Sequence, residues 1–128
     1  MAEQSREQLP YREDLRWLLT HQNKWINIPR ILNFIQLNEV DDANDDNKIN
    51  CIDYSVIFQA LYGSDARLMV NRNPKTGMNH MFVRIFIKES FIDIDPQGTV
   101  DSYFMQEIWG DKYDPKFNKD ETEKWRLK

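Results

Sequence analysis

Three side chains in this sequence have the types and order needed for cysteine hydrolysis: Cys51, His80 and Asp95. That chemistry requires a thiolate nucleophile, a base that takes and returns the proton, and a group that orients the base. Cys51 is the single cysteine of the sequence, so no internal disulfide can form. It stands at the predicted start of an apolar helix, where the partial positive charge of a helix N-terminus favours the thiolate. His80 opens a predicted strand, and Arg84 is the only other titratable group on its face of that strand. Asp95 ends the following strand. Pairing the two strands brings imidazole and carboxylate together, and a helix packed on them can offer the thiol to the other ring nitrogen. Each residue also has a plainer explanation. Cys51 suits a small buried hydrophobe, His80 a satisfied edge histidine, and Asp95 a turn residue before Gly98. Asp93 lies on the same strand face as Asp95 and competes with it for the orienting role. His21, within a predicted helix, reads as a surface residue.

The elements that must position these groups follow from hydrophobic periodicity. Residues 1–10 read as a loose tail. Tyr11 to Gln22 has helical spacing, with Leu15, Leu18 and Leu19 on one face and Trp17 beside it. Pro29 suits the first turn of a second helix carrying Ile31, Leu32, Phe34, Ile35 and Leu37. A polar, acidic loop follows. A third helix is expected from Asn50 or Cys51 to Gly63, buried nearly all round through Ile52, Val56, Ile57, Phe58, Ala60 and Leu61, with Gly63 as a left-handed C-cap. The period then changes to that of strands: Ala66 to Arg72, a turn at 73–77, His80 to Lys88, and Phe91 to Asp95, closed by Pro96 and Gly98. Thr99 to Trp109 is expected as a short helix capped by Thr99 or Asp101. The chain from Gly110 onward reads as a polar surface tail, with Phe117 and Trp125 as anchors. This order predicts an α+β fold. N-terminal helices and a buried Cys-bearing helix pack on a small antiparallel sheet.

Length and charge narrow the function. A chain of 128 residues builds one domain around one core. Net charge is -4, and no basic stripe interleaves with aromatics, so nucleic acid is not an expected partner. The apolar runs are too short to span a bilayer. The first residues are polar and lack an apolar signal region, so a cytoplasmic location is expected.

The segment NCIDYSVIFQALYGSDARLMV resembles the pattern of the transglutaminase-like cysteine hydrolases. There the nucleophilic cysteine opens a helix, a glycine follows, and an Ala-Arg pair begins a strand, as at Gly63 and Ala66-Arg67. NHMFVRI is similar to the family's histidine-bearing strand, and FIDIDPQG to its closing strand, where Asp-Pro carries the third member. The resemblance covers about residues 45–100 and implies a papain-like triad. Cys51 would be the nucleophile, His80 the general base and then acid, and Asp95, preferred to Asp93 because Pro96 follows it, the orienting carboxylate. It implies a peptidase or glutamine amidase acting on protein or peptide without a required cofactor. The backbone N–H of Cys51 would hold an oxyanion, joined by an upstream side chain for which Trp25, Gln36 and Asn50 are candidates.

A second signal overlaps the first. Asp42, Asn44, Asp46 and Asp53 fall at the first, third, fifth and twelfth positions of a calcium-loop pattern, with Ile49 at the eighth. Asn47 replaces the usual glycine, and Asp53 is shorter than the usual glutamate. Two further expectations therefore stand beside the hydrolase: a non-enzymatic calcium-binding or interaction module using residues 42–53, and a catalytically inactive member of the same fold.

Overall fold

The computed structural model describes residues 7–8, 27–37, 50–87 and 90–127. The predicted helix over 11–22, His21, Trp25, and the acidic positions Asp42, Asn44 and Asp46 lie outside them. The fold is α+β. Helix α1 spans Asn27–Leu37, and α2 spans Cys51–Tyr62. The strands are β1 (Glu7–Gln8), β2 (Ala66–Asn73), β3 (Met78–Ile87), β4 (Ser90–Thr99), β5 (Ser102–Phe104) and β6 (Asn118–Asp120). They form one sheet in the order β1-β4-β3-β2-β6, with β5 also paired to β4. The β2–β3, β3–β4, β4–β5 and β2–β6 pairs are antiparallel, whereas β1 joins β4 in parallel. Two short helices, α3 (Met105–Trp109) and α4 (Thr122–Trp125), complete the set. Among the described residues no helix is long and apolar enough to cross a membrane.

The alternation along β3 and β4 sorts the sheet into two faces. Met81, Val83, Ile85, Ile92 and Ile94 join Leu68 and Val70 beneath the two long helices. There they meet Ile28, Leu32 and Ile35 of α1, spaced i, i+4 and i+7. The opposite face carries His80, Phe82, Arg84, Asp93 and Asp95. Met69, Phe82, Met78, Met105 and Tyr113 form its own apolar cluster. Phe82 and Tyr113 meet edge to face with ring centroids 5.5 Å apart.

Several boundaries differ from expectation. Helix α2 is not apolar all round toward the core. Asp53, Ser55, Val56 and Phe58 are buried, while Ala60 and Leu61 are exposed. Gly63 is the C-cap, with its N–H donated to the Gln59 carbonyl and a positive φ of 113°, but its ψ of -164° lies outside the left-handed helical region, a combination open to glycine. Pro96 does not end β4, which continues to Thr99. The region 99–109 is not one helix. Thr99 Oγ1 accepts from Asp101 N–H and Ser102 N–H, closing a tight turn from which β5 returns along β4, and only Met105–Trp109 is helical. The expected polar tail is also corrected. Asn118–Asp120 pairs with β2, and Tyr113 and Thr122 are buried. Thr122 Oγ1 accepts from Leu68 N–H at 2.8 Å, satisfying the exposed rim of β2.

One break in the sheet positions everything that follows. Phe86 N–H donates to the Asp65 carbonyl at 3.0 Å, so even-numbered residues of β3 bond toward β2 and odd-numbered ones toward β4. The β3–β4 ladder begins at Val83↔Ile94. Two residues further, the register sets Met81 opposite Pro96, which has no N–H to give. Helix α2 fills the gap: Ser55 Oγ donates to the Met81 carbonyl at 3.1 Å, and Met81 N–H donates to Cys51 Sγ at 3.4 Å. Beyond Pro96 the chain reverses at Val100 and Asp101, and the returning strand passes close against Gly98. A Cβ there would run into the Ser102 carbonyl oxygen and lie 3.0 Å from that of Asp95. Because backbone atoms cannot step aside, Gly98→Ala is expected to cost about 1–3 kcal/mol, read as a lower urea midpoint.

Candidate active site

Cys51 is the first residue of α2, and the local sequence fixes that start. Asn50 is the N-cap: its Oδ1 accepts from Ile52 N–H at 3.0 Å, and Asp53 Oδ2 accepts back from Asn50 N–H at 2.8 Å. This reciprocal box ties down the first turn, leaving the thiol at the positive end of the helix. Asp53, the twelfth position of the calcium-loop pattern, is wholly buried and serves this cap. Among the described residues no group of three or more His, Cys, Asp or Glu side chains is gathered to hold a metal.

The structure brings Cys51, His80 and Asp95 together. His80 and Asp95 are buried on one sheet face, on diagonal positions of adjacent strands. The His80 ring nitrogen Nε2 lies 2.9 Å from Asp95 Oδ2. The Cys51 thiol lies close enough to the imidazole for each to shift the other's titration. Asp95 has two further donors: Gln97 N–H to Oδ1 and Trp109 Nε1–H to Oδ2, both at 3.0 Å. Trp109 also tilts its ring against His80, centroids 4.8 Å apart, covering the buried pair.

Each protonation state has a physical cause. Burial alone would raise the Asp95 carboxyl, but His80 and the N–H donors hold it below its ordinary value. Burial alone would lower His80, but Asp95 and Cys51 carry it up to about 9. Burial would raise the Cys51 thiol, yet the neighbouring His80 and the Met81 N–H bring it below its ordinary value. The thiol and imidazole therefore titrate as a coupled pair, and the arrangement favours thiolate beside imidazolium.

Asp93 is taken elsewhere. It lies opposite Arg84 in the register, and the guanidinium grips it with Nε 2.7 Å and Nη2 3.0 Å from its two oxygens. Tyr113 donates its hydroxyl to Asp93 as well, and Asn118 Nδ2 donates to Tyr113 at 2.9 Å. Two carboxylates on one face thus have separate cationic partners.

A cleft of about 200 Å³ adjoins Cys51, and its strand residues Val70, Arg72, Asn79 and Met81 alternate onto the sheet face that does not carry His80. Ile52, Val70 and Met81 give it an apolar floor, and Trp125 forms a wall. Asn50, Asn79 and Arg72 stand around it. A larger groove of about 560 Å³ lies on the β2–β6 edge among Arg67, Lys119, Asp120 and Glu123. It holds no nucleophile, and Asp120 engages Arg67 at 2.9 Å. Of the expected oxyanion donors, Asn50 borders the cleft, while Gln36 Nε2 donates to the Gly98 carbonyl. Sequence reasoning missed Trp109, whose place at the end of a helix carried no sign of its bond to Asp95. It also missed Arg72, and took Trp125 only as an anchor.

Comparison with known proteins gives no matching family model, curated protein or solved structure.

Replacing Asp95 by Asn removes the charge that raises the imidazole. In Asp95→Asn the His80 titration, followed by NMR, is expected to fall from about 9 toward the ordinary 6.5. An unchanged midpoint would show that the carboxylate does not govern His80.

Proposed function

We propose that this chain is a cysteine hydrolase with a transglutaminase-like core, cleaving amide bonds of protein or peptide through an acyl-enzyme on Cys51. The observation that supports it is a thiol at a helix N-terminus beside a buried imidazole, whose ring nitrogen lies 2.9 Å from a carboxylate. The Cys51 thiolate adds to the amide carbonyl carbon, and the carbonyl electron pair moves to oxygen. The first-turn N–H of Cys51, which has no acceptor within the helix, donates to that oxyanion. The His80 imidazolium then gives its proton to the leaving nitrogen as the C–N bond breaks. Neutral His80 next takes a proton from water, whose oxygen attacks the thioester, and the C–S bond breaks to restore the thiolate. Asp95 and Trp109 are positioning residues that hold the ring. Hydrolysis is proposed rather than cross-linking because no feature of the site selects an amine over water. A lone free thiol of this kind stays reduced in the cytoplasm.

Iodoacetamide labelling followed by mass spectrometry tests the activated thiol. At pH 6, Cys51 is expected to alkylate about tenfold faster than a free model thiol or more, and His80→Ala to abolish the advantage. Equal rates for protein, variant and model thiol would overturn the proposal.

A further inference from the structure

We propose that the cleft beside Cys51 is the acyl-side specificity subsite of this reaction, and that it accepts one uncharged residue with an apolar side chain. The inference rests on the hydrolase reading for its meaning, but not for its test. Two geometric facts set the direction of the substrate. The imidazole reaches the thiol from the sheet face that carries Asp95, whereas the cleft meets the same thiol over Val70 and Met81 on the helix-covered face. The leaving nitrogen must lie near His80 to receive its proton. The acyl half of the substrate then extends away from His80, into the cleft.

The lining determines what fits there. At about 200 Å³ the space is smaller than the pockets that enclose whole drug-sized ligands, and it suits a single side chain. Its floor is apolar, and the Trp125 indole forms one wall. That indole is fixed at one end, since Nε1–H donates to Glu121 Oε1 at 2.8 Å. Lys124 Nζ stands 4.9 Å from the ring centroid. Arg72 is the one cationic side chain in the lining, and Glu121 holds it with Nη1 and Nη2 at 2.6 and 3.1 Å. The Glu121 carboxylate is buried and pairs with Arg72, whose guanidinium is half exposed. A carboxylate entering this cleft gives up hydration and meets a guanidinium already paired with Glu121, and an ammonium meets no carboxylate in the lining. An apolar chain loses nothing and gains contact with Trp125. Glu121 therefore acts as a specificity-determining residue through Arg72, keeping the cleft neutral.

Cys51→Ala protein, which cannot turn over, is titrated with three blocked tetrapeptide amides, acetyl-Gly-Xaa-Gly-Gly with Leu, Asp or Lys at Xaa. Binding is followed by the backbone amide NMR signals of Val70 and Asn79 in every variant and, where Trp125 is retained, by its indole N–H, assigned with Trp125→Phe. The Leu peptide is expected to bind about tenfold tighter than either charged peptide and to shift that signal. Adding Trp125→Ala should reduce the preference to about twofold. Adding Glu121→Gln keeps an acceptor for the indole but frees Arg72, and should raise affinity for the Asp peptide about tenfold. Equal affinity for the three peptides overturns the proposal, as does a preference unchanged by either substitution. If Trp125→Ala fails to fold, the near-isosteric Glu121→Gln decides alone. None of these readouts requires an activated thiol. Failure here leaves the iodoacetamide result standing, and slow alkylation leaves this result standing.

Discussion

The missing N–H of Pro96 is the constraint on which the site depends. A strand residue turned toward its neighbour needs partners for both N–H and C=O, and Met81 faces a position that cannot donate. The unmet pairing opens the sheet between β3 and β4, and the first turn of α2 enters the opening. Ser55 satisfies the carbonyl, and the amide N–H points at the sulfur of Cys51. One defect therefore docks the helix, fixes its end against the sheet edge and supplies a donor that stabilises thiolate. A fully paired β4 would have closed the edge and kept the thiol away from the imidazole.

The buried polar face depends on a second constraint, the separation of two carboxylates two residues apart. An unpaired charge at that depth costs about 3–5 kcal/mol when its partner is removed. Register resolves the competition. Arg84 lies directly opposite Asp93 and binds both its oxygens, while Tyr113 adds a hydroxyl. Burial and the adjacent Asp93 push the Tyr113 phenol up, so it remains a donor. Asp95 is left to His80, Gln97 and Trp109. The neighbouring ion pair thus acts on the site by exclusion, holding the wrong carboxylate away from the imidazole.

The last quarter of the chain completes both sides of the thiol. Trp109 and Tyr113 cover the face that carries His80. The segment from Asn118 follows the β2 edge, and Thr122 and Glu121 fasten it to Leu68 and Arg72. That attachment delivers Trp125 to the opposite side, against the core beneath α2. A stretch that reads as solvated tail is held by backbone pairing with β2 and by side-chain bonds rather than by an apolar stripe.

Much of the arrangement was legible in the residues themselves. Alternation in Met81–Ile85 and Ile92–Asp95 is set by the pleat alone, so the sequence determined which side chains share the face of His80. The Asn50 and Asp53 capping pair is likewise local chemistry, but Asp53 reads in the sequence as a calcium-loop position, and the structure gave it to the cap. The hairpin order then made contact between His80 and an aspartate expected. Periodicity could not choose between Asp93 and Asp95, because residues i and i+2 are equivalent to it, and the register of β3 against β4 decided. Nor could it find Trp109, Arg72 or the strap through Thr122, whose roles arise from bonds between residues 14 to 54 positions apart. The sequence by itself determined the chemical groups and their faces, since those depend on neighbours along the chain. Only the tertiary structure decided their partners, because hydrogen bonding between distant segments depends on how the strands come to lie side by side.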